Sequence, residues 1–451
     1  MRRVARISLT ALLCANSTLA LAQQLSADVE AIRIGNVGDS WQSVDFLNTY
    51  TSAVVVCTYT LPGRSSPPAI PRLRNVSATG MELRAQVWAP AGTVTPSTVH
   101  CLVVDEGTHS LAGGQVLEAR RINAPGTTGL ASGWNTSDSV DAAPLFTALP
   151  ADMIVMGGLM TANDAQPSAF VTRATSRLSR PTPTAFFVGK HIGQIAGTRA
   201  AETLGVIVTS PGAGTANDVG YRFGITASTV QGVGTNTPPW STAVAGDFDT
   251  GVATVNAMKG NQGGFAVLYG ADPLPANRLD LAIDEETVAG DTTRTHIEEE
   301  VAFALFRDDQ TAQLSATKTL STSQATPQGG FHTPGADVLY TLSVQNTGSA
   351  PLARDGLFFT DPLPPEVDLF TGDLAGPGSG PVLFDADGTG LTFDPQTDIA
   401  YSVGPPAGFS ACTAAPTNPA LTHLCLRPGG RLGGGTLQPG TATFTFQARI
   451  K

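Results

Sequence analysis

Three short segments of this chain match one another, and their recurrence constrains the fold more than any other feature. They are residues 98–104, 203–209 and 300–306, and corresponding positions lie 105 and then 97 residues apart. In each segment every second residue is large and apolar, which is typical of a strand with one face in a core. The sequence therefore predicts three copies of a unit of about a hundred residues.

The third segment also fits a helix, because Ile297, Val301 and Leu305 are spaced four residues apart and would share one helix face. Its match to two segments rich in β-branched residues favours a strand. Elsewhere the apolar runs are short and are separated by Gly, Pro, Asn or Asp, which is typical of sandwiches. We predict an all-β chain of tandem antiparallel β-sandwiches, with three related units followed by a fourth.

Residues 338–365 give the clearest hairpin pattern in the fourth unit. Four apolar residues at alternate positions share one strand face: Val338, Tyr340, Leu342 and Val344. Asn346 and Gly348 suit a tight turn, and prolines end the next strand. Together with Thr317 and Lys318 upstream, this pattern is similar to the secreted bacterial surface repeat called domain of unknown function eleven. The resemblance covers about residues 313–451 and implies an Ig-like sandwich, but it implies no chemistry.

The first unit has its own sequence pattern, in which Trp41 and Tyr50 precede a valine run and an Arg72-Leu73-Arg74-Asn75 box follows it. Over about residues 32–121 it resembles the H-type lectin domain and its bacterial tandem relatives. That resemblance implies six-stranded antiparallel sandwiches that associate in threes and bind sugar near their junctions. The second and third units lack both features, so sugar binding is not carried over to them.

Arg72 and Arg74 alternate on one strand beside Asn75, and guanidinium forks suit the recognition of hydroxyls and carboxylates. Trp88 would add a ring face that covers sugar C–H groups. We predict these four residues as a glycan site. The alternative is an edge strand protected by charge.

A second candidate site joins residues of different units. Gln86, His191 and Asp284 occupy matching positions after corresponding strands. If the units pack around a pseudo-threefold axis, these three converge with Trp88 and Lys190. The alternative is that they cap strand ends in solvent.

Four cysteines follow the N-terminal leader, namely Cys57, Cys101, Cys412 and Cys425. An even number in an exported chain favours disulfides. The wide gap separates an early pair from a late pair, so we predict Cys57–Cys101 and Cys412–Cys425 bridges. Neither pair has the close spacing of zinc or redox sites, so structural bridges are favoured over metal binding.

Enzyme signatures are missing from the sequence. It contains neither G-x-S-x-G nor H-E-x-x-H, and its six histidines are scattered. Asp385 and Asp387 precede Gly388 as in the start of a calcium loop, but the later ligands are missing and a turn is favoured. We therefore predict no catalytic activity and no cofactor.

The first 22 residues have the arginine-rich start, the apolar run and the Ala20-Leu21-Ala22 end of a signal peptide. Leu13-Cys14 also allows a lipoprotein box, although the large Leu is poor for that processing. No later run is long enough to span a bilayer, so no membrane insertion is expected. The net charge of −11 disfavours nucleic acid. We predict an exported protein, either periplasmic or extracellular.

The predicted organisation has five parts: a signal peptide at 1–22, sandwiches at 23–124, 125–225 and 226–309, and the surface repeat domain at 310–451. The predicted function is non-catalytic binding at a surface or outside the cell, to glycans or other cell-surface components. The alternative is a structural or adhesive surface protein with no small-molecule ligand.

Overall fold

The computed structural model describes residues 8–11, 20–322, 333–352, 354–434, 437 and 440–451. This part of the chain is built of strands and three single-turn 3-10 helices, which confirms the predicted all-β class. It divides into two compact units: Ser17–Asp309, called the N-terminal unit, and Gln310–Lys451 with Met1–Asn16, called the C-terminal unit. Most of the predicted signal peptide lies outside the described residues, and its cleavage stays a prediction. No helix in the described ranges is long and apolar enough to cross a membrane.

The strands are numbered along the chain, beginning with β1 (Ser8–Ala11), which belongs to the C-terminal unit. The N-terminal unit contains three copies of a seven-stranded arrangement. The strands of the first copy are β2 Ala20–Ser26, β3 Val29–Val37, β4 Gln42–Asp45, β5 Ala53–Leu61, β6 Ala69–Arg74, β7 Gly80–Val87 and β8 Ser97–Asp105.

The other two copies continue this numbering. The strands of the second are β9 Gly107–Ser110, β10 Val116–Ala124, β11 Val140–Asp141, β12 Ile154–Leu159, β13 Ala169–Arg173, β14 Phe187–His191 and β15 Glu202–Thr209, with 3-10 helices Thr136–Asp138 and Ala143–Leu145. Those of the third are β16 Gly212–Ala216, β17 Val219–Ile225, β18 Trp240–Ala243, β19 Thr250–Val255, β20 Phe265–Tyr269, β21 Arg278–Asp284 and β22 Val301–Asp308.

Each copy has the same two sheets. The four-stranded sheets have the orders β2-β3-β8-β5, β9-β10-β15-β12 and β16-β17-β22-β19, and the three-stranded sheets are β4-β7-β6, β11-β14-β13 and β18-β21-β20. Every pair of numbered strands within a copy is antiparallel. A short parallel pair between β20 and β5 joins the three-stranded sheet of the third copy and the four-stranded sheet of the first into one seven-stranded sheet. Each copy therefore has seven strands, one more than the lectin resemblance implied.

The three matched segments form the central strands β8, β15 and β22, so the third segment is a strand and not a helix. The predicted units 23–124 and 125–225 include the hairpins β9–β10 and β16–β17, but these hairpins pair with β15 and β22 of the second and third copies. The boundaries expected at 124/125 and 225/226 follow these hairpins, so strand pairing moves the starts of the second and third copies toward the N-terminus by one hairpin. A hairpin's own alternation does not indicate which later strand it will join.

Side chains bond the fourth strand of the third copy, β19, and the residue that follows it to the fourth strands of the other two copies, β5 and β12. The Thr58 hydroxyl donates to the carbonyl of Ala253 at 3.1 Å and accepts from its N–H at 2.8 Å. Asn256 forms the corresponding pair of bonds with the backbone of Val155, at 2.7 and 2.9 Å. These side chains satisfy backbone groups that no strand ladder reaches. One apolar core also includes residues from all three copies.

The C-terminal unit contains the remaining strands: β23 Leu314–Thr322, β24 Asp337–Asn346, β25 Leu357–Pro362, β26 Val367–Leu369, β27 Val382–Asp385, β28 Leu391–Thr392, β29 Ile399–Ser402, β30 His423–Leu426, β31 Gly429–Gly430 and β32 Ala442–Ile450, with the 3-10 helix Phe409–Ala411. One sheet has the order β23-β24-β32-β26, with β27 also on β32, and the other has the order β1-β25-β30-β29. The alternating apolar face of β24 is buried, as its sequence predicted.

Lys318 of the Thr-Lys motif links the two sheets of the C-terminal unit. Its ammonium group lies 2.6 Å from the Asp361 carboxylate on β25 and 4.2 Å from the centre of the Tyr340 ring. Both charged side chains are almost completely buried. The motif that suggested the domain therefore has a structural role, because a buried charge needs a partner.

Candidate functional site

Arg72 and Gln86 lie under a loop from the second copy. The Arg72 guanidinium donates to the carbonyls of Gln166 and Asp164, at 2.9 and 2.7 Å. Gln86 donates to the carbonyl of Ala165 at 3.0 Å. Arg72 is only 1% exposed, and burial lowers its pKa. The expectation that Arg72 is exposed is wrong, because the covering loop comes from a segment about 90 residues later in the chain.

Arg74 and Asn75 lie near the surface, but both donate hydrogen bonds to the same carboxylate, that of Glu82. Arg74 makes two hydrogen bonds of 3.0 Å to Glu82, and Asn75 also donates to that carboxylate. The guanidiniums of Arg74 and Arg84 lie 4.2 and 4.7 Å from the Trp41 ring centre. The hydrogen bonds from Arg74 and then Asn75 lower the pKa of Glu82. The Arg74 guanidinium and the Trp41 ring face, each of which could contact a sugar, therefore pack against each other.

Trp88 and His191 do meet, but inside the protein. Both are 1% exposed. Trp88 stacks on Phe265 at 5.8 Å, and the His191 ring lies 6.1 Å from Trp88 and 5.5 Å from Trp134. Burial lowers the pKa of His191 to about 3, so the ring is neutral. These rings form the core of the junction and do not face solvent.

Lys190 and Asp284 are buried as well, each with its own partners. The Lys190 ammonium donates to the carbonyls of Ala124 and Gly126, at 2.6 and 2.7 Å. Asp284 accepts two hydrogen bonds of 2.7 Å from Arg294. The predicted set of Gln86, Lys190, His191 and Asp284 is therefore not one solvent-facing site. Lys190, His191 and Asp284 are buried, Gln86 is half-buried, and Gln86 and His191 each keep one polar atom without a partner among the described residues.

The structure assembles one polar group that the sequence did not indicate. His296 lies between two buried carboxylates: Nδ1 contacts Glu285, and Nε2 lies 3.0 Å from Glu299. All three side chains are at most 2% exposed. Burial alone would lower the pKa of His296, but the hydrogen bonds and charges of the two glutamates outweigh it and raise the pKa to about 9. The sequence shows the acidic run 284–286, but it does not indicate that His296, eleven residues after Glu285, is the partner of that glutamate.

This arrangement predicts a loss of stability in alkali. His296 binds its proton more tightly in the folded state than in the unfolded state. The stabilisation that this gives is therefore fully present below pH 6.5 and is lost as the pH rises through about 9. The shift corresponds to about 3 kcal/mol. We expect the urea midpoint of the wild type to fall between pH 6.5 and 9.5, and His296→Gln to flatten that profile. Parallel profiles for the two proteins would show that His296 does not carry the charge.

A cleft lies between the first and third copies, with a volume of about 250 Å³. It is called the junction cleft here. The first copy contributes Arg33, Thr60, Thr98 and His100, and the third contributes Phe248, Asp249, Asp272 and Leu274. Arg33 and Asp272 are exposed, Phe248 is partly buried, and Thr60 and His100 are buried. The cleft thus combines charged planar groups, hydroxyls and an aromatic ring.

Two polar groups inside the junction cleft are arranged for hydrogen bonding. The hydroxyl of Thr60 is buried and has no partner among the described residues. His100 Nδ1 accepts from the N–H of Gly251 at 3.2 Å. Burial, with a smaller effect of Arg33, lowers the pKa of His100 to about 3. The ring is therefore neutral, and its proton is on Nε2, which is a donor.

Asp249 is less free than its position suggests. It accepts from the hydroxyl of Thr250 at 2.9 Å, from the N–H of Asp308 at 3.0 Å and from the Gln23 amide. These bonds fix the carboxylate at the cleft wall. Among the acids that line the cleft, Asp272 is therefore the better candidate for ligand contact.

The polar pair in the cleft belongs to the first copy alone. Arg33 faces His100 across β3 and β8. The corresponding pairs in the other copies are Arg121–Gly205 and Ile225–Ala302. Alignment of the three copies would have shown that His100 is unusual at its position, since the other two copies have glycine and alanine there.

None of the family models, curated proteins or solved structures compared with this chain matches it. The resemblances to H-type lectins and to domain of unknown function eleven stay predictions. In the described part of the chain, no group of three or more His, Cys, Asp or Glu side chains is arranged to hold a metal ion.

Proposed function

We propose that this chain is an exported, non-catalytic binding protein whose N-terminal unit binds carbohydrate in the junction cleft. The observation that supports it best is the unpartnered, buried hydroxyl of Thr60 in a cleft that also contains Arg33, Asp272 and Phe248. Buried polar groups are normally hydrogen-bonded, so a free one in a cleft indicates a place for a ligand or water.

The chemistry of the cleft suits a sugar. The planar guanidinium of Arg33 and the carboxylate of Asp272 can bond neighbouring hydroxyls at the rim, while Thr60 does so deeper inside. Phe248 offers a ring against which sugar C–H groups can pack. The position between two copies agrees with what the lectin resemblance implies. Arg72, Trp88, Lys190, His191 and Asp284 have no part in this site, because they are buried elsewhere.

The same proposal includes a pseudo-trimeric packing of the three copies, with the C-terminal unit as a spacer. The bonds between β5, β12 and β19 and the shared apolar core support this packing. Binding without catalysis is supported by the burial of His296, Glu285 and Glu299, which encloses these acid–base groups away from any substrate. The two disulfides support an oxidising, exported location.

The test is glycan-array binding by the wild type and two cleft variants. Phe248→Ala and Arg33→Ala should each lower affinity at least about tenfold, roughly 1.4 kcal/mol. Phe370→Ala and Arg180→Ala are matched controls, since both side chains are exposed outside the cleft, and they should bind like the wild type.

The outcomes separate the two functions. If the wild type retains no glycan, the structural or adhesive alternative is favoured. If it binds and the cleft variants bind equally well, the sugar is held elsewhere, and the Trp41, Arg74 and Arg84 surface becomes the next site to test.

A further inference from the structure

A second cavity lies where all three copies meet, and it is called the central cavity. Its volume is about 70 Å³. Its walls include Cys57, Gly157 and Ala253 from the fourth strands, and Ile70, Ala169 and Phe265 from the fifth. At roughly 10–15 Å³ for each enclosed water, such a space holds about five waters or one small organic molecule.

These lining residues occupy equivalent positions in the three copies. Cys57, Gly157 and Ala253 pair with Cys101, Val206 and Phe303 on the central strands. Ile70, Ala169 and Phe265 pair with Gln86, His191 and Asp284. The alanines at two of these positions, Ala169 and Ala253, leave space between the copies, whereas the Phe170 ring fills the space beside Gly157. The cavity is therefore a product of the triplication.

The walls of the central cavity are partly polar, and several of their polar groups are already hydrogen-bonded. The hydroxyls of Thr58 and Thr254 bond backbone groups of a neighbouring copy. The hydroxyl of Ser168 is different, because the residue is only 2% exposed and has no partner among the described residues. One hydroxyl without a partner thus lies beside the apolar residues Ile70, Ala169 and Phe265 of the wall.

We infer that the central cavity binds a small apolar molecule that carries one hydrogen-bonding group, of the phenol or short-alcohol class, with Ser168 as its partner. An apolar body would fill the space between the copies, and its hydroxyl would satisfy Ser168. This site is independent of the carbohydrate proposal, because it shares no lining residue with the junction cleft.

The experiment titrates the full mature chain with phenol and, separately, with benzene. Binding is followed by the thermal midpoint and by tryptophan fluorescence, since Trp88 packs with the lining residues Ile70, Ala169 and Phe265. Phenol should raise the midpoint, because a ligand that binds only the native state stabilises it. Ser168→Ala should weaken phenol about tenfold and leave benzene unchanged.

Ser139→Ala is the matched control, because the Ser139 hydroxyl also lacks a partner but does not line the cavity. It should leave both affinities unchanged. Without ligand, Ser168→Ala should fold with an unchanged or higher midpoint, since it removes an unsatisfied group. The inference is overturned if phenol does not shift the midpoint, if Ser168→Ala binds phenol like the wild type, or if a crystal soaked in phenol shows only ordered water in the cavity.

Discussion

Replacing Arg294 with methionine should lower the free energy of unfolding of the N-terminal unit by about 3–5 kcal/mol. Arg294 forms a two-point ion pair with Asp284, and both hydrogen bonds are 2.7 Å long. Asp284 is completely buried, so its desolvation raises its pKa, while Arg294 opposes that rise. Without the guanidinium, the buried carboxyl group would lose its charged partner and keep only the N–H of Glu285. Arg294 also donates to the carbonyls of Arg64 and Ser66, which joins the third copy to the first.

Urea unfolding followed by tryptophan fluorescence measures this effect cleanly. All four tryptophans, at 41, 88, 134 and 240, lie in the N-terminal unit. Arg449→Met is a geometric control, because Arg449 makes the same two-point pair with Asp337 but its side chain is 65% exposed. Arg449 lies in the C-terminal unit, which has no tryptophan, so unfolding of this variant is followed by far-UV circular dichroism. Solvent screens an exposed pair, so the free energy of unfolding should change little in this variant. The double variant Arg294→Met with Asp284→Leu should recover part of the loss, and the absence of any recovery would count against the stranded carboxyl as the cause.

The fold was predictable from sequence wherever the alternation of apolar and polar residues along one strand decided which of its faces is buried. The central strands β8, β15 and β22, the buried face of β24 and the two disulfides all follow from local pattern or from the match between copies. These features needed no knowledge of which surfaces would meet.

The candidate site was not predictable, because it depends on contacts between copies. Arg72 sits on a strand face that would be exposed in a single sandwich, and only the loop of the second copy buries it. The junction cleft joins Thr60 to Phe248, which are far apart in sequence. The alternation of apolar and polar residues along a strand does not indicate which part of another copy that strand will contact. One feature of the sequence did indicate the cleft: His100 occupies a position at which the other two copies have Gly205 and Ala302.

Removing the Cys57–Cys101 disulfide should cost the N-terminal unit about 4 kcal/mol in the chain-entropy model. The two cysteines face each other on β5 and β8, with Cα atoms 4.1 Å apart, and the bridge closes a separation of 44 residues. Cys101 is fully buried at the centre of the shared core. Its loss therefore frees a long loop in the unfolded chain without exposing a charged group. Cys57→Ala with Cys101→Ala should shift the tryptophan-detected urea midpoint strongly downward.

The second bridge is an internal control for that measurement. Cys412–Cys425 spans only 13 residues and lies in the C-terminal unit. Its removal should cost about 3 kcal/mol there, visible by far-UV circular dichroism, while the tryptophan transition stays in place because that unit has no tryptophan. If both double variants moved the tryptophan transition equally, the two units would unfold as one. If neither moved its own transition, the bridges would contribute nothing to stability, and the entropic account of their role would be wrong.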